Sequence, residues 1–464
     1  MSMPLRPERK PLAQRLGEGL ETRWLGGDTR KVTLADAVQF SLAGCELSRF
    51  AGRNVMIAVT QQLDAALALI ALDGVAARIL LAPPDLAAEH RAPVLADAGI
   101  DAVIADDVVP WSELGVGLAA RPFWPLSAQA QQNPPLALQD TKWLMLTSGT
   151  TGRPKIVAHT LDGLTGAIGP ASDAKAPVWS TFYDIRRYGG LQILLRALVG
   201  GGSLALSQPH ETLLDYIARV KALSVSHISG TPSHWRKALM SDALATFAPH
   251  YVRLSGEIAD QAVLDSLRKI FPKADIGHAY ASTEAGVGFA VDDGLEGFPA
   301  ALVGKPGPVE MKVADGTLYI RSGRAALSYI GVTAPVLVDG EGYVDTGDMV
   351  ELRGGRYYFI GRKGGIINVG GLKVHPEEVE AALNAHPAVR MSRVKSRKSP
   401  ITGAVVVADV VLSDGYDRQD AATLKQDILA AARAKLPPHK VPALISLVPS
   451  IEVSANGKLV RHVA

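Results

Sequence analysis

Apolar runs alternate with amphipathic segments over residues 31–106. The runs at 54–60, 77–84 and 101–106 are mostly apolar, which is typical of buried strands. The segments between them carry apolar residues at helical spacing. Because strands separated by helices indicate βαβ units, this part of the chain is predicted to form a parallel sheet.

The same alternation returns over residues 142–288. Strand-like and helix-like segments follow one another there, from the apolar run WLMLTS to the amphipathic run DQAVLDSLRKIF. A stretch rich in Pro and Gln at 127–140 lies between the two blocks and is predicted to be a surface connection. Both blocks favour an α/β fold.

The pattern changes after residue 304. Between 304 and 358, short runs are joined by Asp-Gly and Gly-Gly pairs, which are typical of β-hairpins. We expect a small antiparallel barrel or sheet in this region. The residues after Arg362 contain two helix patterns and two strand patterns, and they predict a separate small α+β unit. The predicted domains are therefore 1–361 and 362–464.

Composition and charge narrow the class of protein. The chain has 464 residues, of which 47% are hydrophobic and 20% charged, and this excludes a largely disordered protein. The net charge of +2 gives no reason to expect a nucleic acid or an anionic membrane as partner. The single cysteine, Cys45, excludes an internal disulfide and a metal site built from several cysteines. No secretory signal or membrane-spanning segment is evident, so we expect a cytoplasmic protein.

The segment TSGTTGRPK, at 147–155, is the most distinctive motif of the chain. It follows an apolar strand and combines hydroxyl side chains with glycines and a terminal lysine. Glycines allow backbone N–H groups to approach a polyphosphate, hydroxyls donate to its oxygens, and Lys155 adds a positive charge. The spacing GxxxxGK(S/T) of a Walker A loop is absent. A polar surface turn is the alternative interpretation.

This segment resembles the phosphate loop of the adenylate-forming superfamily, which includes acyl-CoA synthetases, aryl-CoA ligases, luciferases and nonribosomal-peptide adenylation domains. Further segments resemble the other motifs of that family, in the same order. They are YASTE at 280–284, YVDTGD at 343–348, GRK at 361–363 with IINVGGLKVHPEEVE at 366–380, and NGKLVR at 456–461. The resemblance implies an α/β fold. Its large N-terminal domain would contain αβαβα-type parallel-sheet subdomains and a small β-barrel-like subdomain, followed by a small mobile α+β C-terminal domain.

The resemblance also implies the cofactors ATP, Mg²⁺ and CoA and a set of ATP-binding residues. These are Thr147, Ser148, Gly149, Thr150, Thr151, Gly152, Lys155, Tyr280, Ser282, Asp348 and Arg362. Tyr280 is expected to pack on adenine, and Asp348 to accept from the ribose hydroxyls with help from Arg362. Thr283 is expected at the α-phosphate, and Glu284 is expected to bind Mg²⁺, a hard cation that prefers oxygen ligands. An aspartate in a TGD segment can also serve only to stabilise a turn.

The resemblance assigns Lys458 to catalysis, together with Thr283 and Glu284. When the substrate carboxylate attacks the α-phosphorus, negative charge crowds the two reacting groups. A cation placed there stabilises the transition state more than the ground state. The alternative for Lys458 is a solvated residue near the end of the chain.

In the second half-reaction of the family, a thiol attacks the acyl-adenylate after the C-terminal domain rotates about a hinge. Here the hinge would be Lys363 and Gly364, and the thiol or CoA would be bound by Gly370, Gly371 and Lys373. Glycine permits close approach of the thiol arm to the backbone. The family usually carries Asp or Lys at position 364, so we expect a charged hinge contact to be missing from this chain.

The resemblance also implies an acyl pocket. Its residues would be Tyr183, Arg187, Gly190, His227, Gly256 and His278. Arg186 and Arg187 stand where many members carry an aromatic residue or His, and a buried arginine favours an anionic partner. One hypothesis is therefore a substrate with a second polar or anionic group. The alternative is that both arginines lie on the surface or pair with Asp184.

The function expected from the sequence is ATP-dependent, AMP-forming activation of a small carboxylic acid, followed by transfer of the acyl group to CoA. One alternative is an adenylation enzyme that loads the phosphopantetheine of a carrier protein. Another is a nucleotide-binding protein without turnover. The expected partners are the acid and CoA or an acyl carrier protein, without nucleic acid or membrane. The sequence leaves the acid and the oligomeric state open.

Overall fold

The computed structural model describes residues 10–27, 30–39, 42–43, 47–122, 138–147, 154–169, 176–208, 211–332, 334–399, 403–416 and 418–452. The helices within these residues are α1 Leu34–Val38, α2 Gln62–Leu72, α3 Ala88–Ala98, α4 Val109–Glu113, α5 Leu161–Thr165, α6 Tyr188–Val199, α7 Leu213–Ala222, α8 Pro232–Ala238, α9 Gln261–Ile270, α10 Pro376–Asn384 and α11 Ala421–Lys435. Short 3-10 helices cover Leu12–Arg15, Leu47–Phe50, Asp242–Thr246, Ala300–Leu302, Lys363–Gly365 and Pro438–Lys440.

The strands in the described part of the chain are β1 Trp24–Gly26, β2 Lys31–Thr33, β3 Leu42–Ala43, β4 Asn54–Ala58, β5 Arg78–Leu81, β6 Ala102–Ala105, β7 Leu118–Pro122, β8 Lys142–Thr147, β9 Lys155–His159, β10 Val178–Thr181, β11 Ser203–Ala205, β12 His227–Gly230, β13 Tyr251–Ser255, β14 Asp275–Ser282, β15 Gly286–Val291, β16 Phe298–Pro299, β17 Val309–Ala314, β18 Thr317–Ser322, β19 Ser328–Ile330, β20 Val344–Arg353, β21 Arg356–Arg362, β22 Ile367–Val369, β23 Leu372–Val374, β24 Val389–Ser399, β25 Gly403–Leu412 and β26 Leu444–Leu447.

The chain divides into two compact units. The first unit comprises Met1–Ser229, Ala281–Gly288 and Ser322–Glu341, and the second comprises Gly230–Tyr280, Phe289–Arg321 and Gly342–Ala464. The domain boundary between residues 361 and 362 stays a prediction.

Two sheets build the first unit. One has the strand order β19-β9-β8-β5-β4-β6-β7-β3, and the other contains β2-β1-β11-β10-β12. β4 pairs in parallel with β5 and β6, so its apolar residues are buried on both faces, and Met56 is fully buried. The sheet is antiparallel where β9 joins β8 and β19. The parallel core is therefore as predicted, whereas its β9 edge was not.

Helix α6 of the first unit was not predicted from the sequence. It begins with the segment Tyr-Gly-Gly, which is typical of a loop rather than of a helix start. Its apolar residues nevertheless follow helical spacing, and Leu191, Leu194, Leu195 and Leu198 are all fully buried. Burial of one helical face outweighs the poor helix propensity of the two glycines.

Two of the hairpins predicted between 304 and 358, β17-β18 and β20-β21, lie in the second unit, in a sheet of order β16-β21-β20-β18-β17. The prediction was wrong for residues 322–341, which belong to the first unit, where β19 pairs with β9. Gly354 and Gly355 join β20 to β21 with positive φ angles of 53° and 79°. Asp315 and Gly316 join β17 to β18 with φ angles of 49° and 71°. Two positive φ angles in a two-residue loop suit the right-handed twist of the strands, which explains the glycines.

The C-terminal residues form a small α+β arrangement of helices α10 and α11 with the sheet β24-β25-β26. Its core contains Val379, Val406 and Ile428. β24 was not predicted, because its sequence VRMSRVKSRKS is strongly basic. Arg393 and Asp409 are opposite each other on β24 and β25 and form a salt bridge of 2.8 Å.

The α/β class predicted for the chain is confirmed. No helix of the described residues is both long and apolar enough to cross a bilayer.

Candidate functional site

The predicted phosphate loop begins and ends on paired strands. Thr147 ends β8, Lys155 begins β9, and the two residues are opposite each other in the antiparallel register. Ser148, Gly149, Thr150, Thr151 and Gly152 lie outside the described residues. The lysine predicted to bind phosphate therefore lies at the same end of the sheet as Thr147, where the loop starts.

Glu284, the predicted magnesium ligand, is tied to the segment that follows β18. Its Oε1 accepts a hydrogen bond from Tyr329 Oη at 3.2 Å, and its backbone carbonyl accepts from Ala326 N at 2.9 Å. Lys155 Nζ lies 5.2 Å from the centroid of the Tyr329 ring. Lys155, Glu284 and Tyr329, here called the Tyr329 cluster, are thus brought together in the first unit.

Sequence reasoning missed Tyr329. The residue lies on the short strand β19, whose antiparallel pairing with β9 places Tyr329 opposite Val157. Only this pairing brings it near Lys155, and a three-residue strand gives no distinct pattern from which the pairing could be predicted. Ser282, another predicted ATP ligand, stabilises the local turn, because its Oγ accepts from Ala285 N at 2.9 Å.

A carboxylate is a hard oxygen ligand, and Glu284 is half-buried rather than enclosed, so this residue fits a magnesium ion shared with phosphate oxygens. Within the described residues, no group of three or more His, Cys, Asp or Glu side chains is arranged to hold a metal ion.

A buried histidine lies next to this segment. His159 is fully buried, and its ring centroid is 5.6 Å from that of Tyr188. Burial lowers the pKa of His159 to about 4, although the backbone of Thr283 acts in the opposite direction. Burial also raises the pKa of Tyr188. Both side chains are therefore neutral near pH 7 and supply no charge for a phosphate.

A second group of predicted ligands lies in the second unit. Tyr280 Oη donates to Asp348 Oδ2 at 2.6 Å, and Arg362 Nε donates to Asp348 Oδ1 at 2.8 Å. Asp348 and Arg362 are opposite each other on β20 and β21. Burial and the Asp348 charge raise the pKa of Tyr280 well above its usual value, so its hydroxyl remains a donor. Each carboxylate oxygen can accept a further hydrogen bond, as two ribose hydroxyls would require.

Aromatic rings surround Tyr280. Its ring is nearly parallel to those of Phe289 and Phe359, with centroid distances of 5.6 and 5.3 Å. Phe298 lies against both phenylalanines. These phenylalanines were missed, because they come from other strands and belong to no motif. An aromatic cluster of this kind can stack against a flat base, and the neighbouring carboxylate can accept hydrogen bonds from a diol.

The predicted hinge and thiol-binding residues also lie in the second unit. Lys363 Nζ is 3.3 Å from Asp345 Oδ2. A charged contact is therefore made by residue 363, one position before residue 364, where the family usually carries a charged side chain. Gly370 and Gly371 join β22 to β23 with φ angles of 56° and 88°, a turn that requires glycine. Lys373 is exposed on β23, and Lys458 lies outside the described residues.

The predicted acyl-pocket residues are divided between the two units. In the first unit, Tyr183 packs on the start of α6, where a Cβ at Gly189 would lie 3.5 Å from its ring. A Cβ at Gly190 would lie 2.1 Å from the Asp184 carbonyl, so only glycine fits there. His227 packs its ring 4.7 Å from that of Trp179. Gly256 and His278 belong to the second unit, where His278 Nε2 is 2.9 Å from the Leu295 carbonyl.

Both arginines before α6 have carboxylate partners. Arg186 is buried, and its Nε and Nη2 donate to Asp184 at 2.8 and 2.5 Å. Arg187 forms a salt bridge with Asp85. Burial lowers the pKa of Arg187, while the two aspartates act in the opposite direction. These pairs favour the structural interpretation of the arginines, and a role in acid recognition stays a prediction.

Comparisons with known proteins agree with the motifs. The AMP-binding enzyme family matches residues 48–324, and the AMP-binding enzyme C-terminal domain matches residues 378–458. A 2-succinylbenzoate–CoA ligase of Bacillus velezensis is 27% identical over 346 residues, which are 70% of this chain and 69% of the relative. A medium/long-chain fatty acid–acyl-carrier-protein ligase of Mycobacterium tuberculosis is 27% identical over 365 residues, covering 70% of this chain and 66% of the relative.

The chain thus spans about two-thirds of the length of these curated relatives. Among solved structures, an anthranilate–CoA ligase in complex with anthranoyl-AMP superposes with a TM-score of 0.81 at 17% identity. This superposition covers 98% of the present chain and 96% of the other. At this identity the likeness shows a shared fold.

Proposed function

Because the chain belongs to the AMP-binding enzyme family of the adenylate-forming superfamily, we propose that it joins a small carboxylic acid to the thiol of CoA while ATP is converted to AMP and pyrophosphate. The observation that supports this most directly is the Tyr329 cluster beside the phosphate loop. It places a lysine and a carboxylate in one group, and a polyphosphate with its divalent cation requires both charges.

In the first half-reaction, the substrate carboxylate attacks the α-phosphorus of ATP, and the bond to the pyrophosphate oxygen breaks. Lys155 would bind the departing phosphates, and Glu284 would hold Mg²⁺, which neutralises phosphate charge when bound. Thr283 would contact the α-phosphate, and Lys458 would stabilise the charge that develops there. Asp348 would bind the ribose, held in place by Tyr280 Oη and Arg362.

In the second half-reaction, the thiol attacks the acyl carbonyl, and AMP leaves. We assign this step to the C-terminal residues from 362 onward, which would rotate about Lys363 and Gly364. Gly370 and Gly371 have positive φ angles and no side chains, so an extended thiol arm could approach the backbone of this turn closely. Lys373 would contact the nucleotide end of CoA.

The acceptor is CoA in our proposal, since the string GGLKV at 370–374 resembles acyl-CoA synthetases. The alternative acceptor is the phosphopantetheine of a carrier protein. The fatty acid–acyl-carrier-protein ligase among the relatives supports this alternative. The chemistry of both reactions is the same.

An acid with a second anionic group is a hypothesis based on Arg187. Arg187→Ala should change the order in which different acids support pyrophosphate release. An unchanged order would refute a role of Arg187 in acid recognition.

Two variants separate the half-reactions and test the proposal. Lys458→Ala should abolish acid-dependent pyrophosphate release but retain thioester formation from a supplied acyl-adenylate. Gly371→Trp should do the reverse, because a side chain at a φ angle of 88° distorts the turn where the thiol is expected. Equal loss of both half-reactions in Lys458→Ala would contradict the assignment.

A further inference from the structure

Tyr329 contacts two residues that the proposed function uses, although no motif includes it. Its backbone position is fixed from two sides. Ala326 N donates to the Glu284 carbonyl at 2.9 Å, and Leu327 N donates to the Ala158 carbonyl of β9 at 2.7 Å. β19 then continues antiparallel beside β9. The chain therefore presents the Tyr329 ring to Lys155 and Glu284 from a paired strand rather than from a loose loop.

We propose that Tyr329 is a positioning residue that holds Lys155 and Glu284 in the arrangement needed for ATP with its magnesium ion. This inference rests on the proposed function. The face of the ring attracts the Lys155 ammonium, whose Nζ is 5.2 Å from the centroid. The hydroxyl donates to Glu284 Oε1 at 3.2 Å. Opposite charges are thus held by different parts of one rigid side chain.

This division of contacts gives each part of the side chain a separate effect. The hydroxyl donates to Glu284, so its removal should weaken the magnesium-dependent part of ATP binding. The ring acts on Lys155, so its removal should weaken ATP binding even without a metal ion. A purely structural tyrosine would instead lower stability without separating these two quantities.

The test is calorimetric titration of ATP into the full chain, once with excess Mg²⁺ and once with EDTA. In Tyr329→Phe, affinity with Mg²⁺ should fall about tenfold, since a hydrogen bond to a charged group is lost, while affinity in EDTA should be unchanged. In Tyr329→Leu, affinity in EDTA should also fall, by about threefold, because the cation–π contact is removed. The matched control is Tyr251→Phe, whose hydroxyl lies 3.5 Å from Arg253 Nη1.

A double-mutant cycle with Glu284→Gln shows whether the hydroxyl acts through the carboxylate. Tyr329→Phe should have no further effect on magnesium-dependent ATP binding in that background. Equal magnesium dependence of ATP binding in wild type and Tyr329→Phe would overturn the inference, as would a full additional loss in the double variant. Wild-type protein that binds ATP but releases no pyrophosphate with any acid would instead count against the proposed function. Failure of the wild type to bind ATP would overturn both.

Discussion

Replacing Asp184 with alanine should strongly destabilise the first unit, because it removes the charged partner of a buried arginine. The Arg186 side chain is 1% exposed, and two of its nitrogens donate to the Asp184 carboxylate at 2.8 and 2.5 Å. After the substitution, the side-chain hydrogen bonds that remain to Arg186 among the described residues are those to the carbonyls of Val59 and Thr60. Loss of one partner of a buried ion pair costs about 3–5 kcal/mol.

The Asp184 side chain is 16% exposed, so in the variant water can partly replace the carboxylate as a partner of Arg186. We therefore expect the loss of unfolding free energy to lie at the lower end of this range, about 3 kcal/mol. For a unit of this size, that corresponds to a fall in melting temperature of about 6 °C. The assay is thermal unfolding followed by circular dichroism at a fixed heating rate, since unfolding of a chain this long can be irreversible.

Asp85→Ala is the matched control, because Asp85 pairs with the neighbouring Arg187 but its side chain is 51% exposed. Its removal should cost at most about 1 kcal/mol. Adding Arg186→Met to Asp184→Ala should recover most of the lost stability, since the unpaired charge is then absent. If Asp184→Ala and Asp85→Ala melt at the same temperature, our account of the buried pair is wrong.

Three further predictions test other parts of the account. Tyr280→Phe removes the 2.6 Å hydrogen bond to Asp348 and should raise the KM for ATP about tenfold without changing that for the acid; an unchanged KM for ATP would contradict this. Gly361→Ala would introduce a side chain at a φ angle of 143° and 3.1 Å from His375 Cβ, and should lower the melting temperature by several degrees, whereas Gly364→Ala, which has no described neighbour within 4 Å, should not. Because burial lowers the pKa of His159 to about 4, while the unfolded chain binds that proton near pH 6.5, stability should fall as the pH drops from 6.5 towards 4. His159→Gln should flatten this dependence in denaturant titrations, and an identical pH profile would refute it.

The sequence predicts those parts of the fold that depend on local patterns. β4, β5 and β6 are short apolar runs between helices, and buried parallel strands have this appearance. The hairpin turn at Gly354 and Gly355 was predictable, because a two-residue loop with positive φ angles favours glycine.

Features that depend on distant pairing could not be predicted. β24 is basic, and its burial on one face becomes evident only when α10 and β25 pack against it. The motif residues of the site were predicted because each motif is continuous in sequence. Tyr329 and Phe359, in contrast, reach the predicted ligands through strand pairing and ring packing, which no local pattern encodes.

The measurement that tests the central claim most directly is pyrophosphate release by the wild-type chain with ATP and Mg²⁺. It should be made across aliphatic, aryl and dicarboxylic acids, each with and without CoA. We predict release that depends on one class of acid and that CoA accelerates, with formation of the acyl-CoA. Release that CoA does not accelerate would indicate a carrier protein as acceptor, and no acid-dependent release with any acid would contradict the proposed activity.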